Sequence, residues 1–130
     1  MNVNELMIGN WVTFPHGNDV VETISFSDDD PDTSPYFHTH AIDGHHPEDI
    51  RPIELTPEIL MKAGFTASTT DNSYWKADYS IWYEKGIWMF AVSIDGGDTD
   101  GRLIVSKVEA VHQLQTLFFC LTGTHLTITL

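Results

Sequence analysis

His38-Thr39-His40 places two imidazoles two residues apart, so on a β-strand both rings project to one face. Asp43, His45 and His46 follow within a few residues. Neutral imidazole and carboxylate are ordinary ligands of zinc and other divalent ions, and three such groups suffice for a catalytic centre. His38, His40, Asp43 and His45 are therefore candidate metal ligands. A divalent-metal-dependent hydrolase built on His38, His40 and Asp43 is one function the spacing allows. The plainer reading of the same stretch is a polar loop whose histidines are solvated, and it is preferred here: no cofactor is expected, with zinc as the alternative.

The order H-x-H-x-x-D-x-H comes near the H-x-H-x-D-H motif of metallo-β-lactamase-type hydrolases. It misses by one residue between His40 and Asp43 and by another before His45, and the downstream ligands of that family are not apparent. Asp98-Thr99-Asp100-Gly101 matches the D-x-D-G of a calcium loop. In an EF-hand alignment, however, Gly96 takes the first ligand position and Lys107 replaces the closing glutamate. A turn is the better reading. His112 and Cys120, eight residues apart on one helix, are separated by about 12 Å of axial rise and cannot act as a pair. Cys120, between Phe119 and Leu121, reads as a small core residue. Asp28, Asp29 and Asp30 sit in a loop with nothing to bury them and tune their acidity. No G-x-S-x-G, glycine-rich phosphate loop or C-x-x-C occurs, so no catalytic residue is assigned. Among the aromatics, Trp11, Tyr36, Trp75 and Trp82 need not all fit one core; core is the favoured reading and interface the other.

The elements that would position these groups are well marked. Ile8 to Phe14 and Val20 to Phe26 read as two strands of a hairpin around Pro15–Asp19, with Ile8, Val12 and Phe14 on one face. Residues 27–35 and 43–49 read as mobile acidic and histidine-bearing loops, flanking a third strand at Tyr36–Ile42. Thr56 as cap, Pro57 at the first position, Glu58 near the positive end and Gly64 as stop predict a short helix over 57–63, with Ile59, Leu60 and Ala63 inward. Tyr79–Tyr83 and Trp88–Val92 form a hairpin. With Lys85-Gly86 as turn residues, Tyr83 pairs with Trp88, Ile81 with Phe90 and Tyr79 with Val92. That face is read as core. The opposite face carries Ser80, Trp82, Ile87, Met89 and Ala91. Because both faces are largely apolar, a helix or a partner subunit should cover the second, which makes Trp82, Ile87 and Met89 candidate interface residues.

Arg102–Val105 reads as a strand. Ser106 and Glu109 then match a capping box, predicting a helix over 107–122 with the stripe Val111, Leu114, Phe118, Leu121 and a stop at Gly123. Leu126, Ile128 and Leu130 alternate with His125, Thr127 and Thr129, as in a final strand.

Composition narrows the function classes. The chain has 130 residues, enough for one domain with its own core. Its net charge of −13 arises from 19 acidic against only 6 basic residues. Charged residues total 19 %, below the roughly 25 % usual, so the imbalance is a shortage of Lys and Arg. Such a surface repels phosphates, and direct nucleic-acid binding is not expected. An acidic decoy mimicking DNA is an alternative, but it needs carboxylates spaced like phosphates and these are scattered. One cysteine excludes an internal disulfide. The longest apolar run, Ile87–Val92, is far short of the roughly 20 residues of a membrane span, and no basic-plus-apolar leader precedes Leu6. A cytoplasmic protein without membrane contact is expected.

Three segments resemble a known group. Met1-Asn-Val-Asn-Glu-Leu-Met-Ile-Gly-Asn-Trp-Val12, Pro52-Ile-Glu-Leu-Thr-Pro-Glu-Ile-Leu-Met-Lys-Ala-Gly-Phe65 and Val111-His-Gln-Leu-Gln-Thr-Leu-Phe-Phe-Cys-Leu-Thr-Gly123 are similar to small uncharacterised proteins of phage and prophage regions of gut bacteria. They cover about a third of the chain and exclude Ser27–Asp49. The resemblance implies a phage-associated accessory protein of a mobile element and carries over no functional residue.

The expected object is a single α+β domain, 1–130, with a mainly antiparallel sheet and an N-terminal hairpin that could curl into a barrel-like unit. Its expected role is non-catalytic: protein–protein binding to a partner or to a second copy.

Overall fold

The computed structural model describes residues 6–25, 36–39, 47–93 and 102–130. They form an α+β fold with antiparallel sheets in two compact units. One unit comprises Met1–Glu54 with Ala110–His125 and Leu130; the other comprises Leu55–Glu109 with Leu126–Thr129. Among the described residues no sheet closes into a barrel.

In the first unit, β1 (Trp11–Phe14) pairs antiparallel with β2 (Gly17–Val20), Phe14 opposite Gly17, so Pro15-His16 alone make the turn. The hairpin is tighter than the sequence predicts. The stretch expected as its second strand divides instead: Val20 ends β2, and β3 (Thr23–Ser25) pairs with β4 (Tyr36–His38). Val12 and Phe14 are buried, whereas Ile8 is 59 % exposed, a correction to the expected three-residue face. Asn10 explains the break. Its Oδ1 accepts from the Met7 amide at 2.7 Å and its carbonyl accepts from Val21 N–H at 2.9 Å, which folds residues 7–10 into a turn. Leu6, Val12, Phe14, Val21, Phe37 and Ile50 form the core cluster, with Ile24 packed against it. Pro47–Asp49, expected as loop, makes one 3-10 turn.

The helix of this unit, α2, spans Val111–Thr122, and the capping box is not used. Ser106 lies within strand Arg102–Val108, where its hydroxyl donates to the Lys107 carbonyl at 2.8 Å. The helix begins from Ala110, which makes no side-chain cap; the Val111 amide donates to the Ile53 carbonyl at 2.9 Å instead. A capping box contributes about 1 kcal/mol. Extending the strand adds ladder bonds and buries Val108 to 1 % exposure, a side-chain burial worth roughly 1.5–3 kcal/mol. The larger gain decides the boundary. Gly123 stops the helix in the left-handed region, as expected. Val111, Leu114 and Phe118 are buried, but Leu121 is 40 % exposed, and the stripe is completed by His112 and Gln115. Cys120 is exposed, not core, because it lies two residues from Phe118, about 200° around the helix.

The second unit opens with α1 (Pro57–Lys62), one residue shorter than expected. Thr56 caps it by accepting from Ile59 N–H at 3.2 Å. Leu60 and Ala63 are buried and Ile59 half-buried. Five strands follow as a meander: β5 (Thr66–Ala67), β6 (Ser73–Lys76), β7 (Tyr79–Glu84), β8 (Ile87–Ser93) and β9 (Arg102–Val108), neighbours in chain order. The β7–β8 register is the one read from sequence: Tyr83 opposite Trp88, Ile81 opposite Phe90, Tyr79 opposite Val92. Lys85 and Gly86 have φ of 53° and 82°, the two positive values that a type I′ turn requires and that glycine adopts freely. A bulge opposite Phe90/Ala91 shifts β9.

Burial is not uniform along this hairpin. Ile81 and Phe90 on one face, and Ser80 and Ala91 on the other, are all fully buried. Toward the turn the sheet opens. Ser73 opposite Trp82 is the last β6–β7 pair, so Tyr83 has no β6 neighbour. It is 56 % exposed, against the expectation that its whole face is core. At the C-terminus Leu126 and Ile128 are buried between exposed threonines, as alternation predicts, yet residues 125–130 join no sheet.

Candidate functional site

The open end of the β7–β8 hairpin forms one wall of a cleft of about 590 Å³, lined also by Leu55, Thr56, Pro57, Ala67 and the Ser68–Tyr74 connection. Trp88 (8 % exposed) is its aromatic floor. The Tyr83 ring lies 5.1 Å from that of Trp88 and Tyr74 lies 6.2 Å from it, both inclined at 58°. Strand alternation puts all three on one face: Tyr74 pairs with Ile81, and Tyr83 with Trp88.

The Ser68–Ser73 part of the lining is polar and held by short-range hydrogen bonds. Ser68 N–H donates to the Ser73 carbonyl at 2.8 Å, closing the β5–β6 turn. Asp71 Oδ1 accepts from the Ser73 amide at 2.9 Å and also from the Ser73 hydroxyl, which in turn accepts from the Trp75 indole at 2.8 Å. An aspartate bonding the backbone two residues on is the ordinary reason this residue type occupies a turn. Ser73 is buried, and Asp71 is exposed at the cleft. The spacing Asp71-x-Ser73-x-Trp75 was the signal available in the sequence.

Chemically the lining offers three ring faces, hydroxyls, one amide and one carboxylate. Among the described residues no Lys, Arg or His lines it. Nucleophilic catalysis at Ser73 would need a base beside it, itself oriented by a third group. Among the described lining residues Asp71 is the only acidic one, and it is engaged with Ser73. The arrangement suits binding.

Of the metal and interface candidates read from the sequence, those that are described lie outside this lining. His38 is half-buried on β4 opposite Thr23. His40, Asp43, His45 and His46 lie outside the described residues, as do Asp28–Asp30 and Asp95–Gly101. Among the described residues no three His, Cys, Asp or Glu side chains converge. Trp82, Ile87 and Met89 do share a face, the reverse of the one bearing Tyr83 and Trp88, with Trp82 opposite Met89. Trp82 and Met89 are half-buried, and Ile87 is 40 % exposed. The Trp82 indole donates to Glu84 at 3.4 Å. Trp11 and Trp75 are half-buried too, and the Tyr36 side chain is outside the described set.

A second polar contact went unnoticed in the sequence. His16 Nε2 and Asp19 Oδ2 are 2.9 Å apart across the β1–β2 turn. The hydrogen bond from His16, with help from the Val20 amide, His16 charge and Thr39, holds the Asp19 carboxyl below its ordinary range against a smaller opposing effect of burial. The His16 ring also stacks on Phe14, 5.5 Å centre to centre. This is a brace for the turn. No helix among the described residues is long and apolar enough to cross a membrane. Comparison of the chain with protein-family models, curated proteins and solved structures gave no match.

Proposed function

We propose that this chain is a non-catalytic accessory protein of a phage or mobile element, acting in the cytoplasm by binding another protein. The cleft walled by Tyr74, Tyr83 and Trp88 receives an extended segment of that partner. The observation that carries the reading is Tyr83, a large aromatic 56 % exposed beside a floor tryptophan. Tyr and Trp supply much contact area with few torsions to freeze, and they dominate binding hot spots. The volume suits a few residues of extended chain, not a domain surface. Panning a random peptide library against the full chain tests it. Peptides should be enriched on the wild type and lost on Tyr83→Ala; enrichment indifferent to Tyr83, or none, would end the reading.

Self-association through Trp82, Ile87 and Met89 is the second reading, favoured by the 40 % exposure of Ile87 beside two half-buried apolar neighbours. Light scattering that returns the monomer mass at every concentration and salt level would exclude it.

A further inference from the structure

We propose that the segment this cleft receives is rich in proline and held in the polyproline II conformation, one of its carbonyls accepting from the Trp88 indole N–H while a prolyl ring packs on Tyr83. The inference rests on the protein-binding reading and adds the chemistry of the partner.

Three observations converge. The first is a donor that no protein acceptor uses. The Trp75 indole donates to Ser73 and that of Trp82 to Glu84. Trp88 is only 8 % exposed, yet among the described residues its indole N–H has no acceptor, and that atom is not sealed from solvent. Trp88 lines the cleft, and an indole can only donate, so whatever displaces water from it must present an acceptor. Second, Tyr83 stands 56 % exposed with its ring 5.1 Å from that of Trp88, inclined to it and not stacked on it. The electron-rich face of such a ring suits the C–H groups of a prolyl ring. A polyproline II segment matches both features. It has no internal hydrogen bonds, so its carbonyls stay free to accept, and proline brings no N–H that a ring surface would leave unsatisfied. Its conformation is set before binding, so little chain entropy is lost. Third, the chain carries −13, and among the described residues no basic side chain lines the cleft. Acidic and phosphorylated segments are repelled, whereas a proline-rich segment needs no charge of its own to bind.

The experiment uses the full chain and the peptides selected above. Those peptides should share a proline at a fixed position, and its replacement by alanine should weaken binding about tenfold by calorimetry. Acetylated decaproline should compete with them, and a glycine–serine peptide of equal length should not. Trp88→Phe keeps an aromatic floor and removes the donor. It should bind the peptides about tenfold more weakly, with circular dichroism and urea midpoints confirming that it folds. The decisive readout is the wild type itself. Its N–H correlation spectrum holds four tryptophan indole signals, and that of Trp88 is the one absent from Trp88→Phe. Where that variant fails to fold, Overhauser contacts to Tyr83 assign the same signal. Added peptide should move it the furthest of the four. Peptides that need Tyr83 but carry no fixed proline, or that leave the Trp88 indole signal in place, would overturn this inference and leave protein binding standing. If instead maltoheptaose moves that signal and no peptide binds, both fall, and the cleft is a saccharide site.

Discussion

Gln115 is the polar residue whose removal should be felt most in the first unit. Only 8 % exposed on α2, it reaches across more than a hundred positions in sequence to residues 9 and 11. Its Oε1 accepts from the Trp11 amide at 2.8 Å, and its Nε2 donates to the Gly9 carbonyl at 3.0 Å. Gln115→Met is the informative change, because Met matches Gln in volume and helix propensity and so opens no cavity and costs the helix nothing. Both hydrogen bonds go, each worth about 1 kcal/mol net, and both backbone partners are left without them. Gly9 and Trp11 are half-buried, so water can recover part of that penalty. The expected loss is about 2–3 kcal/mol. For 130 residues the unfolding entropy is roughly 0.27 kcal/mol/K, so the melting temperature should drop by about 7–11 °C. Urea denaturation followed by circular dichroism should show the midpoint falling at constant slope. A loss below about 0.5 kcal/mol at unchanged slope would refute the claim that this side chain ties α2 to the N-terminal turn.

Two further outcomes follow from the turns. Gly86→Ala forces a Cβ into φ 82° and should cost about 1 kcal/mol, while Lys85→Asn, better suited to φ 53°, should raise the urea midpoint slightly. Equal midpoints for all three proteins would contradict the type I′ assignment. Asp19→Asn tests the His16 contact through pH. A carboxyl whose acidity is increased on folding stabilises the fold above its unfolded value near 3.8, and that contribution disappears as pH falls through the lower folded value. The variant should therefore be less stable than wild type at pH 6 and equal to it near pH 2, by a small margin since the pair faces solvent. A deficit that persists unchanged at low pH would assign the effect to packing instead.

How much was legible depended on range. Thr56, Pro57 and Gly64 specify α1 through contacts a few residues long, and the structure uses each of them. Lys85-Gly86 and the flanking alternation gave the β7–β8 register because a two-residue turn leaves a single antiparallel pairing. The cleft was not legible. Tyr83 pairs with Trp88 as expected, yet whether that pair is core or rim depends on where β6 stops, a property of another strand. The candidate metal ligands illustrate the complementary limit: period-two spacing puts His38 and His40 on one strand face in principle, but convergence on an ion is a three-dimensional property that spacing alone cannot supply.

The C-terminal third divides the two kinds of information most clearly. Local chemistry alone determined that an amphipathic helix runs to Thr122 and stops at Gly123, because its stripe and stop act within single turns. Tertiary structure decided where that helix begins. Ser106 and Glu109 carry a local start signal, but β8 offered Ser106, Lys107 and Val108 a ladder and Val108 a buried position, and Ile53 offered Val111 a carbonyl. Those non-local contacts together exceed a cap of about 1 kcal/mol, so the strand runs on and the helix starts late.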